Sequence, residues 1–216
     1  MQGHHLSSVP SRNATQGHVI HWAPVYEMIF GRMLRRTHGT VVDLAAPIAG
    51  EHVLDVCCGS GGLAVTLKSA VGSTGAVYGI DASPEMIAEA QRKARTQGIE
   101  LDLKVGLAEA LPFPPESFDV VVSQLAIHHL PGELKQRVIA EMFRVLKSGG
   151  RCLIVDFEPP KTSLGRSVAR VFLGAEMMRT DVRDYCALME AAGFRNVEAG
   201  QTRHRMLAFV RGRVVR

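Results

Sequence analysis

The run Val53-Leu54-Asp55-Val56-Cys57-Cys58-Gly59-Ser60-Gly61-Gly62 sets a carboxylate, Asp55, shortly before a glycine turn. An apolar strand that enters such a turn and leaves it as a helix forms a cradle for a nucleotide-like ligand. Gly59 and Gly61 lack a Cβ, so the backbone can bend sharply and approach a ligand closely. The following helix would present unpaired N–H groups and a positive dipole end at the turn. Asp55 closes a buried strand, where a charge is costly unless it is paired or hydrogen-bonded. It either braces the N–H groups of the turn or faces a cationic ligand. Asp81 ends the next strand, at the spacing where an acid accepts hydrogen bonds from a ribose; the alternative is an ordinary acid before a helix.

His128 and His129 follow the fourth apolar strand. A neutral imidazole near pH 7 can deprotonate or orient a second reactant. Neighbours on an extended loop point apart, so one of the two, His128, is expected to face the cleft; the alternative is a pair that caps the loop without chemistry. No third ligand stands at metal-binding spacing, and no metal is expected. Met177-Met178 reads as adaptable apolar wall, and His21 and Trp22 as helix packing or part of a lid.

Positioning these groups is the work of alternating strands and helices. Strands are predicted at Val53–Cys57, Ala76–Ile80, Leu101–Val105, Phe118–Ser123, Arg151–Phe157, Phe194–Glu198 and Met206–Val210, the last two as a hairpin. Val25, Met28, Ile29 and Met33, then Val41, Leu44 and Ala45, recur at helical spacing within residues 18–48. Helices follow from about Gly62 to Ser69, from Ser83 (cap) and Pro84 to Gly98, from Gly132 to Lys147 with Ser148-Gly149-Gly150 as the stop, and over Asp181–Ala192 after Thr180 as cap. The pattern implies an α/β fold, a doubly wound, mostly parallel seven-stranded sheet with helices on both faces. Ligands of such sheets bind beyond the carboxyl ends of the strands, where Asp55 to Gly61, Asp81 and Ser123 to His129 would meet.

The 216 residues fit one domain, with a flexible N-terminus over 1–17 and a helical lid over 18–48. No apolar run reaches the roughly 18 residues of a membrane span, and Met1 to Gly17 is polar, unlike a secretory signal. With four cysteines and no C-x-x-C pair, a reduced, cytoplasmic setting is expected. The net charge is +4, and its excess gathers at Arg203, Arg205, Arg211, Arg213 and Arg216. That tail admits a weak peripheral contact with an anionic membrane surface; the alternative is the solvated face of a terminal strand.

Five segments occur in order: Val53–Gly62; Val77-Tyr78-Gly79-Ile80-Asp81-Ala82-Ser83; Gly106-Leu107-Ala108-Glu109-Ala110-Leu111-Pro112-Phe113; Ser117-Phe118-Asp119-Val120-Val121-Val122; and Arg144-Val145-Leu146-Lys147-Ser148-Gly149-Gly150-Arg151. Together they resemble the class I S-adenosylmethionine-dependent methyltransferases, most of all the small-molecule and lipid subgroup that includes the ubiquinone and menaquinone C-methyltransferases. The resemblance is strong over about residues 50–158. It implies a Rossmann-like methyltransferase domain over 49–216, S-adenosyl-L-methionine as donor and S-adenosyl-L-homocysteine as product.

By that resemblance, Asp55, Cys57, Gly59, Ser60 and Gly61 would cradle the methionine part of the donor. Asp81 would hold the ribose hydroxyls, Ala82 and Met86 would pack on the adenine, and Ala108 would offer its N–H to that ring. Ser123 and Gln124 would lie near the methyl group, and Tyr26 would close over the site. Cys57 replaces the usual first glycine. Leu107 stands where the family usually has Asp or Asn, which removes a hydrogen bond to the adenine amino group worth roughly 0.5–1.5 kcal/mol net; Glu109 either takes that bond or stays solvated.

Methyl transfer from a sulfonium is an in-line displacement in which the protein supplies alignment and excludes water; a general base, here His128 or His129, is needed only if the acceptor must lose a proton. The expected acceptor is a small or lipid-like molecule. Val168, Val171, Phe172, Leu173 and Met177 beside Arg166, Arg170 and Arg179 would cover an apolar, partly anionic one, or form an ordinary amphipathic helix. Nucleic acid is not expected: the Pro-Pro-aromatic motif of amino-directed DNA enzymes is replaced by Ser123-Gln124-Leu125-Ala126, and the Pro-Cys nucleophile of cytosine enzymes is absent. A nucleic-acid or protein methyltransferase and a non-catalytic cofactor-binding protein are the alternatives. No pattern specifies an oligomeric state.

Overall fold

Residues of alternating direction build a strand buried on both sides at the centre of the sheet. In β1 (His52–Val56), Leu54 and Val56 enter one core and Val53 the other. The computed structural model describes residues 35–159 and 181–216. The remaining strands are β2 (Ala76–Asp81), β3 (Asp102–Val105), β4 (Phe118–Gln124), β5 (Leu146–Phe157), β6 (Arg195–Gln201) and β7 (Leu207–Arg213). They form one seven-stranded sheet in the order β3-β2-β1-β4-β5-β7-β6. β7 runs antiparallel to both neighbours, while the pairings among β1 to β5 are parallel. The strand order reverses between β1 and β4, the switch point at which doubly wound sheets open a crevice.

Helices cover both faces. Helix α1 (residues 35–45) and α2 (Gly62–Val71) pack Val41, Ala45, Leu63 and Leu67 onto Val53, Val120 and Val122. On the opposite face, α4 (Gly132–Val145) and α5 (Tyr185–Ala192) bury Val138, Ile139, Met142 and Met189 against Leu54, Val121 and Ile154. Each such side chain contributes about 1.5–3 kcal/mol on full burial. Helix α3 (Pro84–Thr96) sets Ile87 and Ala90 against Cys58 and Leu103.

The structure moves several boundaries, and tertiary pairing is the reason. α4 ends at Val145, before the glycines expected to stop it, and β5 begins at once with Leu146. Leu146 pairs with Phe118, Lys147 Nζ holds Asp119 at 2.9 Å, and Gly149 and Gly150 exchange main-chain bonds with Val214. The sheet thus claims residues that local spacing assigns to a helix. The last helix is shorter than expected: Asp181 caps a 3₁₀ turn, Val182–Asp184, by accepting from Arg183 N, and α5 begins at Tyr185. β6 and β7 extend beyond the predicted Phe194–Glu198 and Met206–Val210 to Gln201 and Arg213.

Of the expected lid over 18–48, residues 35–45 are helical. His21, Trp22, Val25, Tyr26, Met28, Ile29 and Met33 lie outside the described residues, as do Thr180, Met177-Met178 and the arginine-flanked stripe around Phe172. All four cysteines are free thiols. No helix among the described residues is long and apolar enough to cross a membrane. Arg203, Arg211 and Arg216 of the basic tail form exposed ion pairs with Asp43, Glu198 and Glu116, contacts that contribute little to stability.

Candidate functional site

The glycine turn leaves β1 through Cys57, whose φ of 59° is left-handed, and passes Gly59 (φ 52°) and Gly61 (φ 75°). These two glycines serve different ends. A Cβ at Gly61 would stand 2.7 Å from the Ala90 Cβ, so Gly61 lets the start of α2 lie directly on α3. A Cβ at Gly59 would meet nothing within 4 Å, so the turn there borders open space. Ser60, 9% exposed, accepts from Lys93 Nζ at 3.2 Å.

Asp81 ties this turn to the next helix. Its Oδ2 accepts from Gly59 N and its Oδ1 from Ser83 N, both at 2.9 Å. Ser83 caps α3 by accepting from Met86 N at 3.2 Å; Met86 is buried and Ala82 half-buried. Each carboxylate oxygen keeps further acceptor capacity. Burial raises the Asp81 pKa, against the lowering effect of the two N–H bonds.

Asp55 is 1% exposed, and its Oδ2 is the one buried side-chain polar atom without a partner among the described residues. The N–H of Ala64, in the first turn of α2, donates to the carboxylate. Burial first, and the charge of Asp81 second, push the Asp55 pKa well above the usual carboxylate range. A buried acceptor left without a donor costs about 1–3 kcal/mol, and a cationic N–H donor would remove that cost.

Cys57 lies in an electronegative field. Burial, then the carboxylates of Asp81, Asp55, Glu109 and Asp156, push its thiol pKa well up, so the thiol is no nucleophile here. Glu109 thereby joins the same region of the fold. The loop carrying Leu107 (half-buried), Ala108 (7% exposed) and Glu109 is anchored at both ends. Gly106 N donates to Asp81 O at 3.0 Å. Further on, Glu141 accepts from Leu111 N at 2.7 Å, while Arg144 donates to Leu111 O at 3.0 Å and to Phe113 O at 2.8 Å. Glu141 and Arg144 also pair with each other at 2.6 Å.

At the end of β4, Ser123 Oγ donates to Val56 O at 3.0 Å, locking β4 to β1 at the switch point. Gln124 Nε2 donates to Thr37 Oγ1 of α1. The histidines do not sit on an extended loop: Ile127–His129 is a 3₁₀ turn, and the two rings stand 3.9 Å apart between centroids at a 42° tilt. The expectation that they point apart fails because the turn rotates successive residues by about 120° rather than 180°. His128 is buried and His129 exposed. His128 Nδ1 is 2.6 Å from Asp156 Oδ1.

Three contributors escaped the reading of the residues. Asp156 interrupts the apolar run of β5 near its end, a signal that could have been weighed. Tyr185 and Thr37 carry no local mark at all. Among the described residues no group of three or more His, Cys, Asp or Glu is arranged to hold a metal.

The fold defines a doubly wound protein with Asp55, the glycine turn and Asp81 at the carboxyl ends of β1 and β2. Residues 53–150 match the family described as a methyltransferase domain. The chain is 32% identical over 186 residues to a 2-phytyl-1,4-naphtoquinone methyltransferase of Synechococcus elongatus, covering 83% of this chain and 79% of that one. It is 36% identical over 156 residues to a demethylmenaquinone methyltransferase of Thermus thermophilus, covering 69% of each. A methyltransferase structure from Aquifex aeolicus superposes with a TM-score of 0.75 at 21% identity, covering 91% of this chain and 100% of that one. The chain belongs to the class I S-adenosylmethionine-dependent methyltransferases and resembles their quinone-methylating members.

Proposed function

We propose that this enzyme transfers the methyl group of S-adenosylmethionine to a small, lipid-like acceptor of the quinol type by direct in-line displacement. The observation that carries the donor half is the orphaned Oδ2 of Asp55 beside an open glycine turn. S-adenosylmethionine brings an ammonium group, a ribose diol and a sulfonium-activated methyl group. The residues fit those needs. Asp55 offers an unfilled buried acceptor to the ammonium, with the turn Cys57–Gly61 alongside. Asp81 has acceptor capacity left for the diol, and Ala82 and Met86 flank it below the adenine. Leu107, Ala108 and Glu109 form the other wall, Ala108 offering its N–H. Ser123 and Gln124 close the methyl-bearing end, and Tyr26 is assigned to the lid.

The relatives support the acceptor half, since one is named for 2-phytyl-1,4-naphtoquinone and the other for demethylmenaquinone. The test is transfer of a labelled methyl group to 2-phytyl-1,4-naphthoquinone, reduced in situ. Mass-tagged product at a rate above a no-enzyme control is the expected result. Donor binding without transfer to this or any extracted metabolite would favour a non-catalytic cofactor-binding protein instead. A cytoplasmic setting belongs to the same proposal. The ion pairs of Arg203, Arg211 and Arg216 favour the solvated reading of the tail over a contact with membrane or nucleic acid.

Asp55→Asn separates stability from binding. The folded-state pKa of Asp55 lies above its unfolded value of about 3.9. The carboxyl therefore favours the fold at low pH, and that contribution fades as pH rises through the folded pKa. At neutral pH the amide is expected to raise the Tm of the donor-free protein by about 2–4 °C, the shift that about 1 kcal/mol produces at this size. It should weaken donor binding about tenfold, because the ammonium loses its counter-charge. Thermal melts with and without donor check both signs; a Tm unchanged without donor would refute the cost assigned to the orphaned Asp55 oxygen.

A further inference from the structure

We propose that Asp156 and Tyr185 hold His128 in one tautomer, with Nε2 as a ready proton acceptor, so that the methyl acceptor is a molecule that must lose a proton as it is methylated. This rests on the methyl-transfer reading above and assigns a base and its support to that site.

Asp156 is 0% exposed and sits near the carboxyl end of β5, immediately after Val155, which pairs with Gln124. Four hydrogen-bonding contacts fill its two oxygens. Oδ1 faces His128 Nδ1 at 2.6 Å and Phe157 N at 2.8 Å. Oδ2 accepts from His128 N at 3.0 Å and from Tyr185 OH at 3.3 Å. Burial and the neighbouring Asp156 raise the Tyr185 pKa, so its hydroxyl keeps its proton and acts as donor. The two main-chain N–H groups and the hydroxyl all donate to Asp156, so its carboxyl group is the acceptor in three of its four contacts. In the proposed arrangement the fourth contact runs the same way, from a proton on His128 Nδ1.

That leaves the lone pair on Nε2. Among the described residues Nε2 has no hydrogen-bond partner. It is not sealed off either, since Asp55 Oδ2 is the one buried polar side-chain atom there that lacks a partner. The His128 backbone is held by the same carboxylate as its ring, so turn and imidazole move as one unit. The 3₁₀ turn follows β4 after Leu125 and Ala126, and the end of β4 lies at the switch point. The exposed His129 lies beside His128, with ring centroids 3.9 Å apart at a 42° tilt.

Such a unit suits a hydroquinone-type acceptor and has no task with a neutral sulfide or tertiary amine. A hydroxyl proton of the quinol passes to Nε2 while the ring carbon's electron pair forms the new bond to the methyl carbon. The carbon–sulfur pair remains on sulfur. The imidazolium formed is stabilised by the charge of Asp156 and returns its proton to the ring oxygen as the ring carbon releases its own proton to water. The net change is one methyl gained and one proton released. Asp156 and Tyr185 touch no reactant and are positioning residues.

The first measurement is nitrogen-15 NMR of the histidines in the wild-type protein, with His128 assigned by difference from His128→Gln. A neutral ring with Nδ1 protonated and Nε2 bare is expected; the opposite tautomer overturns the proposal whatever any variant does. In Asp156→Asn the amide can donate to Nδ1, so the ring should shift toward the Nε2-protonated form. With reduced 1,4-naphthoquinone as acceptor, kcat should fall about 10–100-fold, while KM and donor affinity by calorimetry stay within about twofold. Tyr185→Phe should keep the tautomer and lose about two- to fivefold in kcat. An unchanged kcat in Asp156→Asn, with the protein folded and donor bound, overturns the base while leaving the methyltransferase reading intact. Failure of the wild-type protein to bind donor would overturn that earlier reading instead.

Discussion

Replacement of Asp81 by alanine is expected to weaken S-adenosylmethionine binding at least about a hundredfold while the protein stays folded. The carboxylate does two things at once. In the structure it accepts from Gly59 N and Ser83 N, which fixes the open side of the glycine turn against the start of α3. In the proposed complex its remaining lone pairs receive the ribose hydroxyls. A hydrogen bond to a charged group contributes about 1.5–3 kcal/mol, so losing two to the ribose alone amounts to about 3–6 kcal/mol, and each 1.4 kcal/mol is tenfold in affinity. The fold tolerates the change because Ser83 still caps α3 through Met86 N. Asp81→Asn should fall between, since its single oxygen can brace only one of the two N–H groups. Titration calorimetry reads the affinity and circular dichroism the fold. An affinity within threefold of wild type would place the donor elsewhere.

Gly61→Val is expected to destabilise the protein by about 3–5 kcal/mol, lowering its Tm by roughly 6–20 °C. Two costs add. A β-branched residue at φ 75° is held in the left-handed region, which costs about 1–3 kcal/mol. Its Cβ would also lie 2.7 Å from the Ala90 Cβ and 3.2 Å from the Ala90 Cα. The second contact is with backbone, so α2 and α3 must separate, and overpacking of this kind costs about 1–3 kcal/mol. Gly59→Ala is the contrasting variant. It shares the left-handed φ, but its methyl meets nothing within 4 Å. It should cost about 1 kcal/mol of stability yet impair donor binding, because the methyl enters the space the donor needs. Denaturant melts of both variants, with and without donor, separate the helix-packing glycine from the ligand-facing one. Equal stability losses would refute this division.

Local spacing by itself determined much of this protein. The period of apolar residues defined strands β1 to β4 to within one residue of each end, and capping chemistry placed Ser83 and Pro84 at the head of α3. The acid-then-glycine order marked the turn after β1, where Cys57, Gly59 and Gly61 take left-handed φ beside the buried Asp55. All of these are short-range properties, encoded within a few residues of where they act.

Tertiary structure alone decided the rest. β7 inserts between β5 and β6 because main-chain bonds between distant segments settle strand order, and no local pattern carries them. The same bonds drew Leu146 to Gly150 out of the helical pattern and into β5. The posture of His128 followed from Asp156, 28 positions away, and from Tyr185 beyond it. A side chain's orientation and tautomer are set by whichever group occupies its far side, and chain folding brings that group there.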